Sequence, residues 1–319
     1  MSSTAPVVAR VAVVIPCFKQ AHFLGDAIES TLKQSIPPSE IVVIDDGSPD
    51  DVASVAACYS GVRYIRQHNQ GLSAARNTGI RATTSEFLVF LDSDDRLLPN
   101  AIERGIEHHQ QHPGCAFVAG RMFVIGADGS LLRNWQPFPV TDDYFAQLLI
   151  NHCGIYPLTV MYRREAIAAV GDGFSTALRS AEDWDMDIRL ARMFPFHLYN
   201  EPIAEYRKHG SNMTGNASVM MESIIRVLHG QRSLTRSDPR HEAARRHGIA
   251  RVHKYFTEIV IDQVHADIAA RQWSPALRKT WRLLRWHPHV VLERVGMKWH
   301  RLTSPRDRSD MARAGPPTS

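Results

Sequence analysis

Apolar residues in the first 125 positions recur in two alternating patterns. Short apolar runs at residues 11–15, 41–44, 62–65, 87–91 and 116–125 predict buried strands. Between them, residues 21–34, 50–59, 72–82 and 99–111 carry helical spacing. In the first of these, Phe23, Leu24, Ile28 and Leu32 share one face. Strands without internal alternation, separated by helices, predict an α/β fold: a mostly parallel sheet covered by helices on both faces. Asp128-Gly129 predicts a turn. Further on, residues 142–151, 164–170 and 182–193 read as helices, and 158–162, 197–199 and 203–206 as short strands. From residue 218 the pattern is helical, and residues 304–319 are polar and rich in Pro and Gly, which predicts a disordered tail.

In a parallel sheet, ligands bind at the carboxyl ends of the strands. Two acidic clusters fall there: Asp45-Asp46-Gly47-Ser48 and Asp92-Ser93-Asp94-Asp95. The second puts three carboxylates in one turn, a repulsion that a divalent cation bridging to a diphosphate offsets. The plainer alternative is a helix N-cap, the role expected of Asp95. The first cluster is either a glycine turn or a contact to a base N–H. Gly71 and Ser73 open a helix whose first turn can face an anion, and Arg76 follows one turn later. Asp183, in Glu182-Asp183-Trp184-Asp185, is either a helix-dipole partner or a general base. His209 is a surface histidine or a metal ligand.

Composition narrows this little. The net charge of +4 is too mild to argue for nucleic acid. The four cysteines form no C-x-x-C pair, so no zinc or redox motif is suggested, and reduced thiols are expected. The N-terminal apolar run is too short for a signal sequence, and none reaches the ~20 residues of a membrane span. A cytoplasmic protein is expected.

In order and spacing, these segments resemble the family 2 glycosyltransferases of the GT-A fold. The resemblance is carried by Val13-Val14-Ile15-Pro16-Cys17-Phe18, Val43 to Ser48, Asn69 to Gly79, Phe90 to Asp95, Glu182 to Asp185 and Tyr206 to His209. It implies a GT-A catalytic domain over residues 8–215, with a nucleotide-sugar half at about 8–125 and an acceptor half at about 126–215. A helical region would follow at 216–303. It also implies an inverting, non-processive transferase that takes a nucleotide-sugar donor, with a UDP-sugar favoured, and a sugar or lipid-linked acceptor. The Gln-x-x-Arg-Trp signature of processive synthases is not found after Asp183.

By the same resemblance, Pro16 and Phe18 line the base pocket and Asp46 bonds the base. Arg76 lies near the phosphates, and Asp92 and Ser93 meet the donor. Asp94 ligates Mn²⁺ or Mg²⁺, His209 completes the metal site, and Asp183 is the catalytic base. Lys19 stands where the family often has Asn, and Cys17 where it often has Thr or Ser. A nucleotidyltransferase is the competing enzyme reading, but the loop after the first strand lacks the glycines it needs. A non-catalytic nucleotide-sugar-binding module is the other alternative.

The segment 271–301 changes the picture once more. It holds eight Lys or Arg against one acid, Glu293, and four of the six tryptophans. That composition suits either contact with the headgroup layer of an anionic inner membrane surface or a helical appendage whose tryptophans pack on the catalytic domain.

Overall fold

The computed structural model describes residues 9–135, 142–152, 154–171, 173–210 and 217–286. The expected tail at 304–319, the basic segment beyond residue 286 and Cys153 lie outside the described residues. Packing divides the chain into two compact units, Met1–Val252 and His253–Ser319.

The first unit opens with β1 (Val11–Cys17), α1 (Ala21–Leu32), β2 (Glu40–Asp45), α2 (Val52–Ala57), β3 (Val62–Arg66), α3 (Leu72–Ala82) and β4 (Phe87–Phe90). The apolar runs become the four parallel strands, paired β3-β2-β1-β4. Every residue of β1 is buried, as a strand covered on both faces must be. The buried stripe of α1 is Leu24, Ala27, Ile28 and Thr31, whereas Leu32, expected on that face, is exposed.

Next come β5 (Arg96–Leu97), α4 (Ala101–Gln111), β6 (Phe117–Gly126), β7 (Leu131–Trp135), α5 (Tyr144–Ile150), β8 (Val160–Arg163), α6 (Arg164–Ala169), α7 (Glu182–Ala191) and β9 (His197–Lys208). Here the sheet becomes mixed. Strand β8 inserts antiparallel between β4 and β6, so β6 still runs in the direction of β4. Strand β9 lies parallel to β6, and β5 and β7 add antiparallel pairs to β9 and β6. The two short strands expected at 197–199 and 203–206 are one strand. Its register against β6 shifts between Ala119 and Met122, a bulge that carries it past Pro202.

Because β9 runs with β6 and β4, its carboxyl end falls on the same sheet edge as Asp92 and Asp94. The chain reverses its strand order between β1 and β4, the position where α/β sheets open a binding crevice. Pairing of β1 with β4 stops at Val14 and Phe90, so Pro16, which has no N–H to donate, falls beyond it.

Helices α8 (Ala217–Gly230), α9 (Arg232–Thr235), α10 (Pro239–Ala269) and α11 (Trp273–Trp286) complete the described chain. In the second unit, Arg271 adopts a left-handed φ of 57° at the turn into α11. Lys279 on α11 pairs with Asp267 on α10 at 2.7 Å. Among the described residues, no helix is long and apolar enough to cross a membrane.

Candidate active site

Strand β1 delivers Phe18 and Lys19 to the crevice, both exposed. Lys19 has φ 59°, a left-handed conformation that Asn tolerates better than Lys. Its N–H donates to Ser48 Oγ at 2.6 Å, which holds the turn in place. Gln20 then bridges to the turn after β4: Ser93 Oγ donates to its Oε1 at 2.7 Å, and its Nε2 donates to Asp94 Oδ2 at 2.8 Å. The sequence reading passed over Gln20. Its neighbourhood to the aromatic at the end of β1 was the one available signal.

Asp45 and Asp46 divide their work. Asp45 builds the turn, accepting from the Ser48 N–H at 2.7 Å and the Tyr64 hydroxyl at 2.6 Å. Asp46, expected at the base, accepts from Gln67 Nε2 and from the backbone N–H groups of Gln70 and Gly71 at 2.7–2.9 Å. The Gly71 N–H, at the helix start expected to face an anion, therefore already has a carboxylate, as does the Gln70 N–H before it. Gly47 is required here: it has φ 69°, and a Cβ would lie 2.8 Å from the Asn69 N.

Arg76 is placed differently from the phosphate contact expected. Its side chain is 1% exposed and bonds two carboxylates, Glu182 at 2.6 Å and Asp92 at 2.9 Å. Its guanidinium also packs over the Phe174 ring, and its Nε is buried with no partner. Glu182, unassigned from the sequence, so connects the start of α7 to the turn after β4. Asp183 follows it, half-buried, with Oδ1 accepting from the Trp184 N–H at 2.8 Å.

Asp94 and His209 are brought together: Asp94 Oδ2 and His209 Nε2 lie 2.9 Å apart, against the Phe23 ring. Asp95 is not the cap of α4. That helix starts at Asn100 without a side-chain cap, and Asp95 instead accepts from the Arg207 N–H of β9 at 2.7 Å.

The charges are lopsided. Burial, with Asp94 and Asp183 nearby, pushes the Asp92 carboxyl above its ordinary value although Arg76 opposes it. Burial does the same to Glu182, and drives Asp95 well above the usual carboxylate range beside Asp94 and Asp92. An added divalent cation offsets such crowding. The donor set fits one: the 2.9 Å between Asp94 Oδ2 and His209 Nε2 matches one edge of an octahedron with bonds of about 2.1 Å.

One turn beyond Asp183 on α7, Asp187 is buried and accepts from Tyr162 and His152, each at 2.9 Å. The His152 ring stacks on Trp184 at 5.2 Å. No sequence signal singled out this group.

Residues 12–171 match the model of glycosyl transferase family 2. Chondroitin synthase of Escherichia coli is 28% identical over 66% of this chain and 31% of its own. Hyaluronan synthase of Pasteurella multocida is 25% identical over 63% of this chain and 21% of its own. The chain thus spans about a third or less of the length of these two relatives. In fold it is similar to S. aureus TarS 1–349 in complex with UDP-GlcNAc. The TM-score is 0.61 at 18% identity, covering 77% of this chain and 73% of that one.

Proposed function

The chain belongs to glycosyl transferase family 2, and we propose on that premise that it moves one sugar from a nucleoside-diphosphate sugar to an acceptor hydroxyl. The observation that carries the proposal is one linked set of side chains at the β1/β4 switch point. Arg76 ties Asp92 to Glu182, beside Asp183, while Asp94 and His209 meet two residues away along the same turn.

In this reading, Asp183 removes the proton of the acceptor hydroxyl as its oxygen attacks the anomeric carbon. The nucleoside diphosphate leaves from the opposite face, and configuration inverts. The exposed Phe18 ring and Pro16 line the base pocket. Asp46, Ser93 and Arg76 hold the donor-side walls through the bonds described above. Asp94 and His209, with Asp92 beside them, would hold Mn²⁺ or Mg²⁺, which supplies positive charge for the departing diphosphate. The TarS complex with UDP-GlcNAc favours a UDP-sugar, and the synthase relatives favour a role in polysaccharide synthesis.

We assign catalysis to residues 8–215. The acceptor is taken to be a sugar or lipid-linked sugar at the cytoplasmic face of the membrane. An exposed apolar stripe supports surface contact there: Trp273, Leu277, Trp281 and Leu284 lie along one side of α11, 42–68% exposed. Arg278, Lys279, Arg282 and Arg285 stand on the same helix.

A screen of nucleoside-diphosphate sugars for manganese-dependent thermal stabilisation, followed by acceptor-free release of nucleoside diphosphate, tests the function. Stabilisation by one donor class and slow release are expected. No stabilisation and no release with any donor would reject it.

A further inference from the structure

Three histidines gather far from the crevice. His108 and His112 stand one turn apart at the end of α4, and His197 is the first residue of β9. Among the described residues they are the one group of three or more potential ligands whose donor atoms all lie within 4.8 Å of one another. His209 follows the far end of β9, a strand of 12 residues, so this cluster and the crevice occupy opposite sheet edges.

We propose that His108, His112 and His197 form a second metal site, selective for a late first-row divalent ion such as zinc, that pins the end of α4 to the start of β9. The donor set is the first argument. Three imidazoles suit zinc, nickel or copper and suit magnesium poorly, unlike the carboxylate-rich crevice. Spacing is the second. Zinc–nitrogen bonds of about 2.0–2.1 Å put ligand nitrogens a little over 3 Å apart, so donor atoms already within 4.8 Å of one another need only a small approach.

The surroundings of His108 are the third argument. Its Nδ1 is buried with no hydrogen-bond partner, while its Nε2 faces Glu201 Oε2 at 3.5 Å. A metal-bound histidine takes this division, with one nitrogen for the ion and the other for a carboxylate. The His108 ring is held by stacking on Tyr199 at 3.9 Å, whereas His112 and His197 stack on each other at 3.8 Å, a pairing that must open as their nitrogens turn toward an ion. All three side chains are partly exposed, so an ion can enter.

The test is zinc and cobalt binding by the full chain after removal of metal. The double variant Asp94→Ala/His209→Ala should keep one tightly held zinc ion and give the intense visible spectrum of tetrahedral cobalt. His112→Gln/His197→Asn should lose both. Glu201→Gln should retain the spectrum and weaken zinc affinity about 10- to 100-fold. Zinc should raise the unfolding temperature of the wild type and leave that of the histidine variant unchanged. Metal-free unfolding curves show whether the variants fold; if His112→Gln/His197→Asn does not, His108→Asn serves in its place. Equal zinc stoichiometry and affinity in wild type and histidine variant would overturn the site. So would a wild type that binds neither metal.

Discussion

Arg76 sets the electrostatics of the crevice from inside the fold. Removing it leaves the buried Glu182 carboxylate, with the partly exposed Asp92 beside it, without a counter-charge, a loss that for a buried pair commonly costs about 3–5 kcal/mol. Arg76→Met should therefore lower the urea midpoint sharply. Arg76→Lys, with one point charge for two carboxylates, should recover part of it. The Asp183→Asn side chain keeps its shape and loses the basic oxygen. Turnover should fall by about 10²–10⁴ with donor affinity nearly intact, read from single-turnover rates and donor titration. Full activity would remove Asp183 from the base role. Asp94→Ala should abolish the manganese dependence of donor binding, and an unchanged manganese titration would count against its role. The sequence pattern brought these residue types to one edge, because strand ends are legible from apolar runs. It did not tell a buried bridging arginine from a phosphate-facing one, since both follow a helix start and differ only in packing. Glu182 and Gln20 were missed for the same reason: their roles come from partners 106 and 74 positions away.

At the scale of elements, the close seat of α3 on β1 rests on Gly79, where a Cβ would run into the Val14 side chain. Gly79→Ala should destabilise by about 1–3 kcal/mol through overpacking, measured by chemical denaturation, although alanine favours helix. The contact between α4 and β8 rests on His109. Its Nε2 donates to the Met161 carbonyl at 3.0 Å, and Nδ1 accepts from Arg163 at 3.4 Å, which fixes a neutral ring. Burial pushes its pKa down to about 4. The unfolded chain takes up this proton near pH 6.5 and the folded chain only near 4. The contribution is thus complete above about pH 6.5 and is lost as pH falls toward 4, at about 1.4 kcal/mol per unit. His109→Gln should flatten the acid-side stability slope by one proton in metal-free buffer; an unchanged slope would place the titration elsewhere. The parallel half of the sheet was legible because each strand is followed by its own helix. The insertion of β8 between β4 and β6 was not, since it pairs β8 with β4 across more than 70 residues and no local pattern encodes that choice.

For the whole molecule, the remaining question is how a chain with no described spanning helix would meet a lipid-linked acceptor. Under the membrane contact proposed above, helix α11 would supply the physical means. Trp273, Leu277, Trp281 and Leu284 repeat at helical spacing on its exposed side, and the Arg285 guanidinium lies 5.6 Å from the centre of the Trp281 ring. Apolar burial and charge then act together, with about 1 kcal/mol for each basic residue near an anionic surface. The full chain should float with vesicles containing phosphatidylserine or phosphatidylglycerol and not with pure phosphatidylcholine. Because the charge contribution is screened, high salt should release most of it. Trp273→Ser/Trp281→Ser should weaken flotation at low salt as well, while donor turnover on a soluble acceptor stays unchanged. Flotation that ignores both lipid charge and the two tryptophans would leave α11 as an ordinary exposed helix. The acceptor would then have to be recruited by the catalytic unit alone.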